Sequence, residues 1–255
     1  MSKILYASAC CGFVLFMASV SAAVVPGPYV TGAQLKLKYE AFVAGIPAGE
    51  AVMQLQRDPL DRTDVSAYQY RVAGTARSTG LWESFQQWRA EYSVDGTVTR
   101  EVAEGNQERR AQTMVLPGHF FSLQTTPRKR REIHIEDGIL KETKNHKIRD
   151  PRPSQTGYDL FSALFFLPPC HPEVRVHTGR DGYSLQRSSP GDAVDTQPSL
   201  NCRYRVRDDD GSEYKMKLSY AQRGGFVVPV EIVVQGPLNG RMRLVEPASR
   251  AANAQ

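Results

Sequence analysis

The sequence lacks the residue patterns that mark most enzymes and metal proteins. Its five histidines show no H-E-x-x-H or comparable metal-binding spacing, and no G-x-S-x-G motif for a nucleophilic serine is present. Residues 208–211, Asp-Asp-Asp-Gly, lack the remaining positions of a calcium-binding loop. The formal net charge of +5 is too modest to indicate a nucleic-acid partner. We therefore expect no catalytic residues, no metal, no cofactor and no nucleic acid, with a hydrolase-like activity as a remote alternative.

Apolar runs that could cross a bilayer are absent after the N-terminus. There, a basic start at residues 1–3 precedes an apolar run at 4–20 and small residues at 19–23. This is the pattern of a secretory signal peptide over residues 1–23, so we expect cleavage and a periplasmic mature protein. A retained membrane anchor is one alternative, since about 17 apolar residues is near the lower limit for a span. Lipidation at Cys10 is another, although the apolar run continues past that residue.

Cysteine is scarce as well. Of four cysteines, Cys10 and Cys11 lie in the signal peptide, so only Cys170 and Cys202 stay in the mature chain. Two cysteines in an exported chain predict one disulfide, which an oxidising periplasm favours. The alternative, a pair of metal ligands, lacks a C-x-x-C motif. We therefore predict that Cys170 and Cys202 are bonded to each other.

Alternation of apolar and polar residues dominates the rest of the chain and predicts strands with one buried face. Four Asp-Gly pairs stand between candidate strands, at 95–96, 137–138, 181–182 and 210–211. Asp-Gly is a strong signal for a tight hairpin turn. The order predicts one antiparallel β domain, either a meandering barrel or a sandwich, over residues 24–247, and a disordered tail at 248–255. The residues expected to face a barrel interior are Leu35, Leu37, Tyr39, Met53, Leu55, Tyr70, Tyr214, Met216 and Leu218.

One segment, YDLFSALFFLPP, breaks this alternation. Its apolar residues have helical spacing, and they are Leu160, Phe161, Leu164, Phe165 and Leu167. Asp159 is placed to cap the first turn, and Pro168-Pro169 stops the helix. We predict a short helix near residues 158–167 that lies over one end of the sheet. The disulfide would then tie this helix to the strand that carries Cys202.

Four motifs occur in a recognisable order: YEAFVAGIPAGEA at 39–51, GTARSTGLWESF at 74–85, DLFSALFFL at 159–167 and VPVEIVVQGPLNGRMRLV at 228–245. Together they resemble the exported bacterial family called domain of unknown function 3108 (DUF 3108), over nearly the whole mature chain. The resemblance implies a mostly antiparallel β fold. It implies no catalytic residues, because the family has no established activity. The chain departs from the family pattern where Cys170 and Cys202 bracket an insert rich in Pro, Ser and Asp.

Aromatic and apolar residues supply the first candidate contact site. Trp82, Phe85, Trp88 and Tyr92 form an aromatic cluster that either closes the mouth of a barrel or meets a lipid chain or a sugar ring. Ile46 stands in the Gly-Ile-Pro-Ala-Gly stretch at residues 45–49. That stretch is either the turn or bulge of a hairpin, or a tip that binds a ligand or a partner.

Basic residues supply the second candidate site. Arg128, Lys129, Arg130 and Arg131 are consecutive at a predicted strand start. They are either the solvated face of a sheet or a site for the phosphates and carboxylates of envelope lipids and glycans. A second basic group alternates along the late strands, and its members are Arg203, Arg205, Arg207, Lys215, Lys217, Arg241 and Arg243.

Two functions therefore stay open for this chain. The first is a non-catalytic envelope protein that binds an amphipathic or anionic lipid or glycan, inside the barrel if the barrel is hollow. The second is an envelope assembly factor that presents a surface, such as an exposed sheet edge, to another protein. An apolar interior cavity would favour the first function, and a filled interior would argue against a lipid carrier of that kind.

Overall fold

The computed structural model describes residues 32–61, 67–102, 111–188, 195–196, 199–236 and 239–247. The predicted signal peptide at 1–23 and the predicted tail at 248–255 lie outside the described residues.

Within these residues the chain forms seventeen strands and two short helices. The first strands are β1 (Ala33–Val43), β2 (Ile46–Pro59), β3 (Ala67–Ser78), β4 (Arg89–Val102), β5 (Ala111–Thr126), β6 (Lys129–Glu136), β7 (Ile139–Lys144), β8 (Lys147–Ile148) and β9 (Arg152–Pro153). The later strands are β10 (Tyr158–Asp159), β11 (Glu173–His177), β12 (Gly182–Arg187), β13 (Asp195–Thr196), β14 (Ser199–Asp208), β15 (Glu213–Arg223), β16 (Phe226–Gln235) and β17 (Gly240–Pro247). The helices are α1 (Leu81–Phe85), between β3 and β4, and α2 (Leu160–Phe166), after β10. In the described part of the chain, no helix has the length and apolarity needed to span a membrane.

All these strands belong to one sheet, which is built from two antiparallel runs. In the first run, β1 to β7, each strand pairs with the next along the chain, and β8 and β9 both pair with β7. The second run contains β11, β12 and β14 to β17, and β13 pairs with β14. β17 pairs with β1 and joins the two runs. The predicted all-β, mainly antiparallel fold is confirmed, and β10 with β11 is the one parallel pair among the described strands.

The alternation of residues places the core on the inner face of the sheet. In β1, Leu35, Leu37 and Tyr39 are buried, whereas Lys36 and Lys38 are exposed. Of the nine residues predicted to face the interior, seven are buried, and the two in β15, Tyr214 and Met216, pack against the core while staying partly exposed. Burial of alternate side chains on one face of the sheet therefore accounts for most of the core.

Helix α2 fills the space between the two runs. It contacts β4 and β5 of the first run and β11 and β16 of the second. Leu164, Phe165 and Phe166 are all buried, and the ring of Phe166 stacks on Tyr70 with 4.3 Å between ring centroids. The helix was predicted to lie over one end of the sheet. It lies instead against the inner face, in the space that a hollow barrel would leave for an acyl chain.

At its other end, where β11 is joined to β12, the second run contacts β5 of the first run through side chains. The connection between β11 and β12 places Gly179 so close to β5 that a Cβ atom there would lie 2.6 Å from the ring of Phe120. His177 of β11 meets the same ring edge-on, with 5.9 Å between centroids. Together with α2, this contact makes the curved sheet barrel-like.

Asp159 caps the start of α2, as the sequence predicts. Its Oδ1 accepts hydrogen bonds from the backbone N–H groups of Phe161 at 3.0 Å and Ser162 at 2.8 Å. Its Oδ2 accepts the hydroxyl hydrogen of Ser162. Because Ser162 uses its hydroxyl hydrogen in this bond, Tyr70 donates its own hydroxyl hydrogen to Ser162 Oγ, at 2.7 Å. The predicted helix near residues 158–167 is confirmed.

Replacing Asp159 by asparagine is expected to remove part of the pH dependence of stability. Burial raises the pKa of the Asp159 carboxyl, against the opposing effect of its hydrogen bonds. A raised pKa in the folded state contributes stability below the unfolded-state pKa of about 4, and this contribution is lost as the pH rises through the folded-state value. Asparagine keeps the backbone cap and carries no charge. Urea unfolding should therefore show the stability of Asp159→Asn relative to wild type increasing as the pH rises above about 4.

Asp159→Ala is the companion variant, because it loses the cap as well as the charge. We expect it to lower the free energy of unfolding by about 1 kcal/mol through the lost cap, an effect that is independent of pH. A difference between Asp159→Asn and wild type that stays constant with pH would contradict the assignment of a destabilised buried carboxylate.

The predicted disulfide is confirmed. The Cα atoms of Cys170 and Cys202 are 5.4 Å apart, within the usual range for a bonded pair. Cys170 follows α2, and Cys202 lies in β14. The bond therefore ties the segment after α2 to the second run of the sheet.

Three of the four predicted Asp-Gly turns are confirmed. Residues 137–138 join β6 to β7 with both φ angles positive, and residues 210–211 lie between β14 and β15. At 181–182 the predicted hairpin joins β11 to β12, but only Asp181 lies in its turn, because Gly182 is the first residue of β12. The prediction of a hairpin at residues 95–96 is wrong, since both residues lie within β4. Glycine is needed at this place for close approach, because a Cβ atom on Gly96 would lie 2.3 Å from the carbonyl oxygen of Leu116. The β4–β5 pairing shifts register here, as at a β-bulge.

Candidate functional site

The segment between β3 and β4 is held in place by hydrogen bonds between Ser78, the last residue of β3, and Gln86 and Trp88, which lie just before β4. The hydroxyl of Ser78 donates to the carbonyl oxygen of Gln86 at 2.9 Å and accepts from the backbone N–H of Trp88 at 3.0 Å. The backbone N–H of Ser78 also donates to the Trp88 carbonyl oxygen at 2.9 Å. These bonds tie α1 and the residues after it to the ends of β3 and β4, and so position Trp88.

A groove with a volume of about 360 Å³ opens between this segment and the hairpin that joins β5 to β6. Its lining includes Trp88 as well as the last residues of β5 and Pro127. The lining residues are Arg77, Ser78, Glu83, Gln87, Trp88, Arg89, Thr125, Thr126 and Pro127. Arg128 and Lys129 follow Pro127 directly in the β5–β6 hairpin, which we call the basic hairpin; it borders the groove, although neither cation is among the lining residues. We call this feature the Trp88 groove.

Two arginines lie side by side at the Trp88 groove. Arg77 of β3 is directly opposite Arg89 of β4 in the strand pairing, and both are exposed. Arg77 donates its Nε–H to Glu50 at 2.6 Å, and Lys38 lies 3.5 Å from the same carboxylate. The hydrogen bond from Arg77 lowers the pKa of the Glu50 carboxyl. Within the part of the chain that the structure describes, Arg89 has no acidic partner.

The basic hairpin adds positive potential next to these arginines. The positive charge of Arg131 is the largest of several effects that lower the pKa of the Lys129 amine, and the charges of Lys144 and Arg180 act in the same direction. Arg128 is exposed. An anion would be attracted to this end of the sheet, because several cations share it.

Arg131 has a different environment from its three basic neighbours. It is only 9% exposed, because the alternation along β6 turns it inward with Ile133. Its Nε atom lies 2.9 Å from Oε1 of Glu142, a buried residue of β7 that the sequence analysis missed. Arg149 lies 3.3 Å from the other carboxylate oxygen of Glu142. Arg131 is therefore part of a buried charge cluster and is removed from the candidate contact residues.

Arg130 points away from this buried cluster. Its side chain is about half exposed and lies 3.4 Å from Glu132, an exposed pair of the kind that contributes little to stability. Arg128, Lys129 and Arg130 therefore remain candidate contact residues at the surface of the hairpin.

The predicted aromatic cluster divides between two environments. Trp82 and Trp88 are partly buried, whereas Phe85 is 84% exposed. Tyr92 belongs to the inner face instead, where its ring packs on Phe161 with 4.9 Å between centroids. Phe85 therefore does not help to close the mouth of the barrel, because it is almost fully in solvent.

Ile46 lies beside a tight turn rather than at the centre of a wide one. The turn consists of Ala44 and Gly45, with φ angles of +51° and +81°. Ile46 begins β2 and is 45% exposed. Gly49 lies within β2, where a Cβ atom would be 2.7 Å from the carbonyl oxygen of Arg77. Backbone geometry thus explains why glycine stands at positions 45 and 49. It does not explain why the apolar side chain of Ile46 is exposed.

The second basic group lies on the outer face of β14, β15 and β17. Its members are exposed, and like charges stand directly opposite each other, Arg203 with Lys217 and Arg205 with Lys215. Arg241 donates to Glu231 at 2.8 Å, and Arg243 lies 3.8 Å from Glu40. None of these residues lines the Trp88 groove or the concavity over β1 to β5, so the Trp88 groove is the better candidate site.

A second concavity, of about 400 Å³, lies over β1 to β5. Its lining includes Lys36, Gln54, Glu91 and Phe121, which leave the surface without an excess of positive charge. It contains none of the predicted contact residues.

Comparison with known proteins yields one structural likeness. No protein-family model matches the chain, and no curated protein matches it. A crystal structure described as a β-barrel-like protein of domain of unknown function DUF1849 from Brucella abortus is similar, with 10% sequence identity and a TM-score of 0.39. The alignment covers 86% of this chain and 98% of that one. The resemblance to the DUF 3108 family stays a prediction.

Proposed function

We propose that this chain is a non-catalytic protein of the bacterial cell envelope that binds a ligand with a phosphate-bearing head group in the Trp88 groove. It would act in the periplasm after cleavage of the predicted signal peptide, and its four motifs favour membership of the DUF 3108 family. The observation that carries the proposal is the meeting of Trp88 and two adjacent arginines in one groove, whose lining ends at Pro127, the residue before Arg128 and Lys129.

The chemistry of the lining suits such a head group. A guanidinium presents a planar fork of N–H donors that matches phosphate oxygens, and Arg89 has no acidic partner among the described residues to compete for its donors. The indole of Trp88 offers an apolar face for a sugar ring or a glycerol unit. The groove volume of about 360 Å³ falls within the range of small-molecule sites.

The position of α2 limits where on the protein a ligand could bind. Because Leu164, Phe165 and Phe166 fill the space inside the curved sheet, we do not propose an acyl chain within the barrel. The ligand would instead bind at the end of the sheet through its head group. A lipid and a free phosphorylated sugar present the same chemistry to this groove.

A single observation favours a second candidate function, an envelope assembly factor. β5 pairs with β6 only from Phe120 onward, so among the described strands its earlier residues have a hydrogen-bonded neighbour on one side only. Met114 and Leu116 are exposed on this part of β5. An extended segment of a partner protein could add to this edge as a further strand.

The proposed function is tested by the fluorescence of Trp88. The chain has two tryptophans, so Trp82→Phe leaves Trp88 as the only indole reporter. This variant is titrated with inorganic phosphate, with glycerol 1-phosphate and with dihexanoylphosphatidylglycerol below its micelle concentration. We expect a saturable change with the phosphate-bearing probes, and Arg89→Glu should weaken binding by about 10- to 100-fold, the effect of a lost charge-assisted hydrogen bond.

Arg205→Glu is the matched control, because it makes the same charge change on the outer face of β14. Its affinity should stay within about twofold of the parent, since charges more than a Debye length away are largely screened at physiological salt. Binding of dihexanoylphosphatidylglycerol alone would assign a lipid, and binding of glycerol 1-phosphate with similar affinity would assign a soluble head group. Equal losses in both arginine variants, or no saturable change with any probe, would overturn the proposal.

A further inference from the structure

Three of the exposed large apolar side chains in the described part of the chain lie at one end of the sheet. In α1, Leu81 is 65% exposed and Phe85 is 84% exposed. These two residues are four apart, so they share one side of the helix. Ile46, at the start of β2, is also exposed. Single exposed apolar residues are common, but a large aromatic ring and two aliphatic side chains at one end form a surface that calls for a partner.

Backbone contacts hold these three residues at the same end. The N–H of Thr79, just before α1, donates to the carbonyl oxygen of Ala48 in β2 at 3.1 Å. Two residues before Ala48 in the chain is Ile46, which pairs with Val43 across the β1–β2 turn. Helix α1 also contacts β2. We call Ile46, Leu81 and Phe85 the apolar tip.

Cations surround the apolar tip in excess over acidic groups. Five basic side chains lie on the strands and hairpin next to it: Lys38, Arg77, Arg89, Arg128 and Lys129. The acidic side chains there are Glu83 of α1, Glu50 of β2, which is shared between Arg77 and Lys38, and Glu40 of β1, which stands opposite Glu50. Glu91 of β4 is level with Lys38 in the strand pairing, so the basic side chains exceed the acidic ones by one. The tip therefore combines exposed apolar groups with net positive charge.

We infer that the apolar tip docks on an anionic phospholipid bilayer, with Phe85 and Leu81 entering the boundary between head groups and acyl chains. The surrounding cations would face the lipid phosphates. Interfacial binding of this kind scales with the apolar area buried and with attraction to anionic lipids, and the tip offers both. A partner protein would require matching apolar and acidic surfaces, whereas an anionic bilayer supplies both along its whole surface. This inference does not depend on the ligand of the Trp88 groove.

Vesicle sedimentation tests the inference. The mature chain is mixed with sucrose-loaded vesicles of phosphatidylcholine, with or without phosphatidylglycerol, and the bound fraction is measured after centrifugation. We expect binding to the vesicles that contain phosphatidylglycerol and much weaker binding to phosphatidylcholine alone. The double variant Leu81→Ser/Phe85→Ser should lower the partition coefficient by about tenfold or more, because it removes the inserting groups.

Leu60→Ser is the matched control. Leu60 is 56% exposed and follows the last residue of β2, so it lies at the opposite end of that strand from Ile46. Its vesicle binding should equal that of the wild type. Retained binding by the double variant, an equal loss in Leu60→Ser, or equal binding to both vesicle types would overturn the inference.

The two proposals fail separately. Leu81→Ser/Phe85→Ser should leave the titration of Trp88 with soluble phosphate probes unchanged if the Trp88 groove is the head-group site. If the double variant loses vesicle binding and keeps the Trp88 titration, the membrane role of the apolar tip is supported. If the Trp88 titration shows no change with any probe while vesicle binding still depends on Phe85, only the proposal for the Trp88 groove is refuted. Urea unfolding of each variant excludes a folding defect. We expect the free energy of unfolding to match that of the wild type, because the replaced residues are exposed.

Discussion

Replacing Phe166 by alanine is expected to lower the free energy of unfolding by about 3–5 kcal/mol, the usual effect of truncating a buried phenylalanine. Phe166 is 5% exposed. Its ring stacks on Tyr70 at 4.3 Å and approaches Tyr68 at 6.4 Å between centroids. The guanidinium carbon of Arg57 lies 5.6 Å from the centre of the same ring. Truncation would therefore leave a cavity between α2 and the first run of the sheet.

Phe85→Ala makes the same chemical change on an exposed residue and serves as the matched control. Because Phe85 is 84% exposed, we expect its effect on the free energy of unfolding to stay within about 0.5 kcal/mol. Urea unfolding followed by far-ultraviolet circular dichroism measures both variants. Similar effects for the two replacements would contradict the packing of α2 inside the sheet.

Removing the disulfide is the second change with a large expected effect. The cysteines are 32 residues apart in the chain, and closing a loop of this length stabilises a fold by about 3–4 kcal/mol on the loop-entropy model. Cys170→Ala/Cys202→Ala keeps small apolar side chains at two buried positions. For a domain of this size the loss corresponds to a fall in the melting temperature of about 10 °C. Differential scanning calorimetry measures it directly.

Reduction provides the control for the disulfide prediction. Dithiothreitol should lower the melting temperature of the wild type toward that of the double alanine variant and leave the variant unchanged. If the variant lost stability but reductant had no effect on the wild type, the loss would come from packing of the cysteine side chains and not from the covalent bond.

Local patterns were sufficient to predict most of the fold. Alternation identified the strands and the buried face of β1, because successive side chains of a strand point to opposite sides whatever lies beyond them. Asp159 and the following prolines predicted where α2 begins and ends, because a cap acts within one helical turn. The Asp-Gly pair at 137–138 predicted its turn for the same reason.

Predictions that depended on neighbouring strands were less successful. The pair at 95–96 has the composition of a turn, yet Gly96 is required by the carbonyl oxygen of Leu116 on β5. Arg131 reads as one of four surface cations, yet its partner Glu142 lies on the next strand. The inward position of Arg131 follows from its alternation with Ile133, a local signal that could have been used.

The sequence by itself determined the all-β class, the position and cap of α2, and the two cysteines of the disulfide. These features follow from spacing within a few residues, or from there being only two cysteines outside the predicted signal peptide. Only the tertiary structure decided that α2 fills the curved sheet and that Trp88 meets the β5–β6 hairpin in one groove. The physical reason is that these contacts join residues far apart in the chain, and the register and curvature of the whole sheet determine which of them meet.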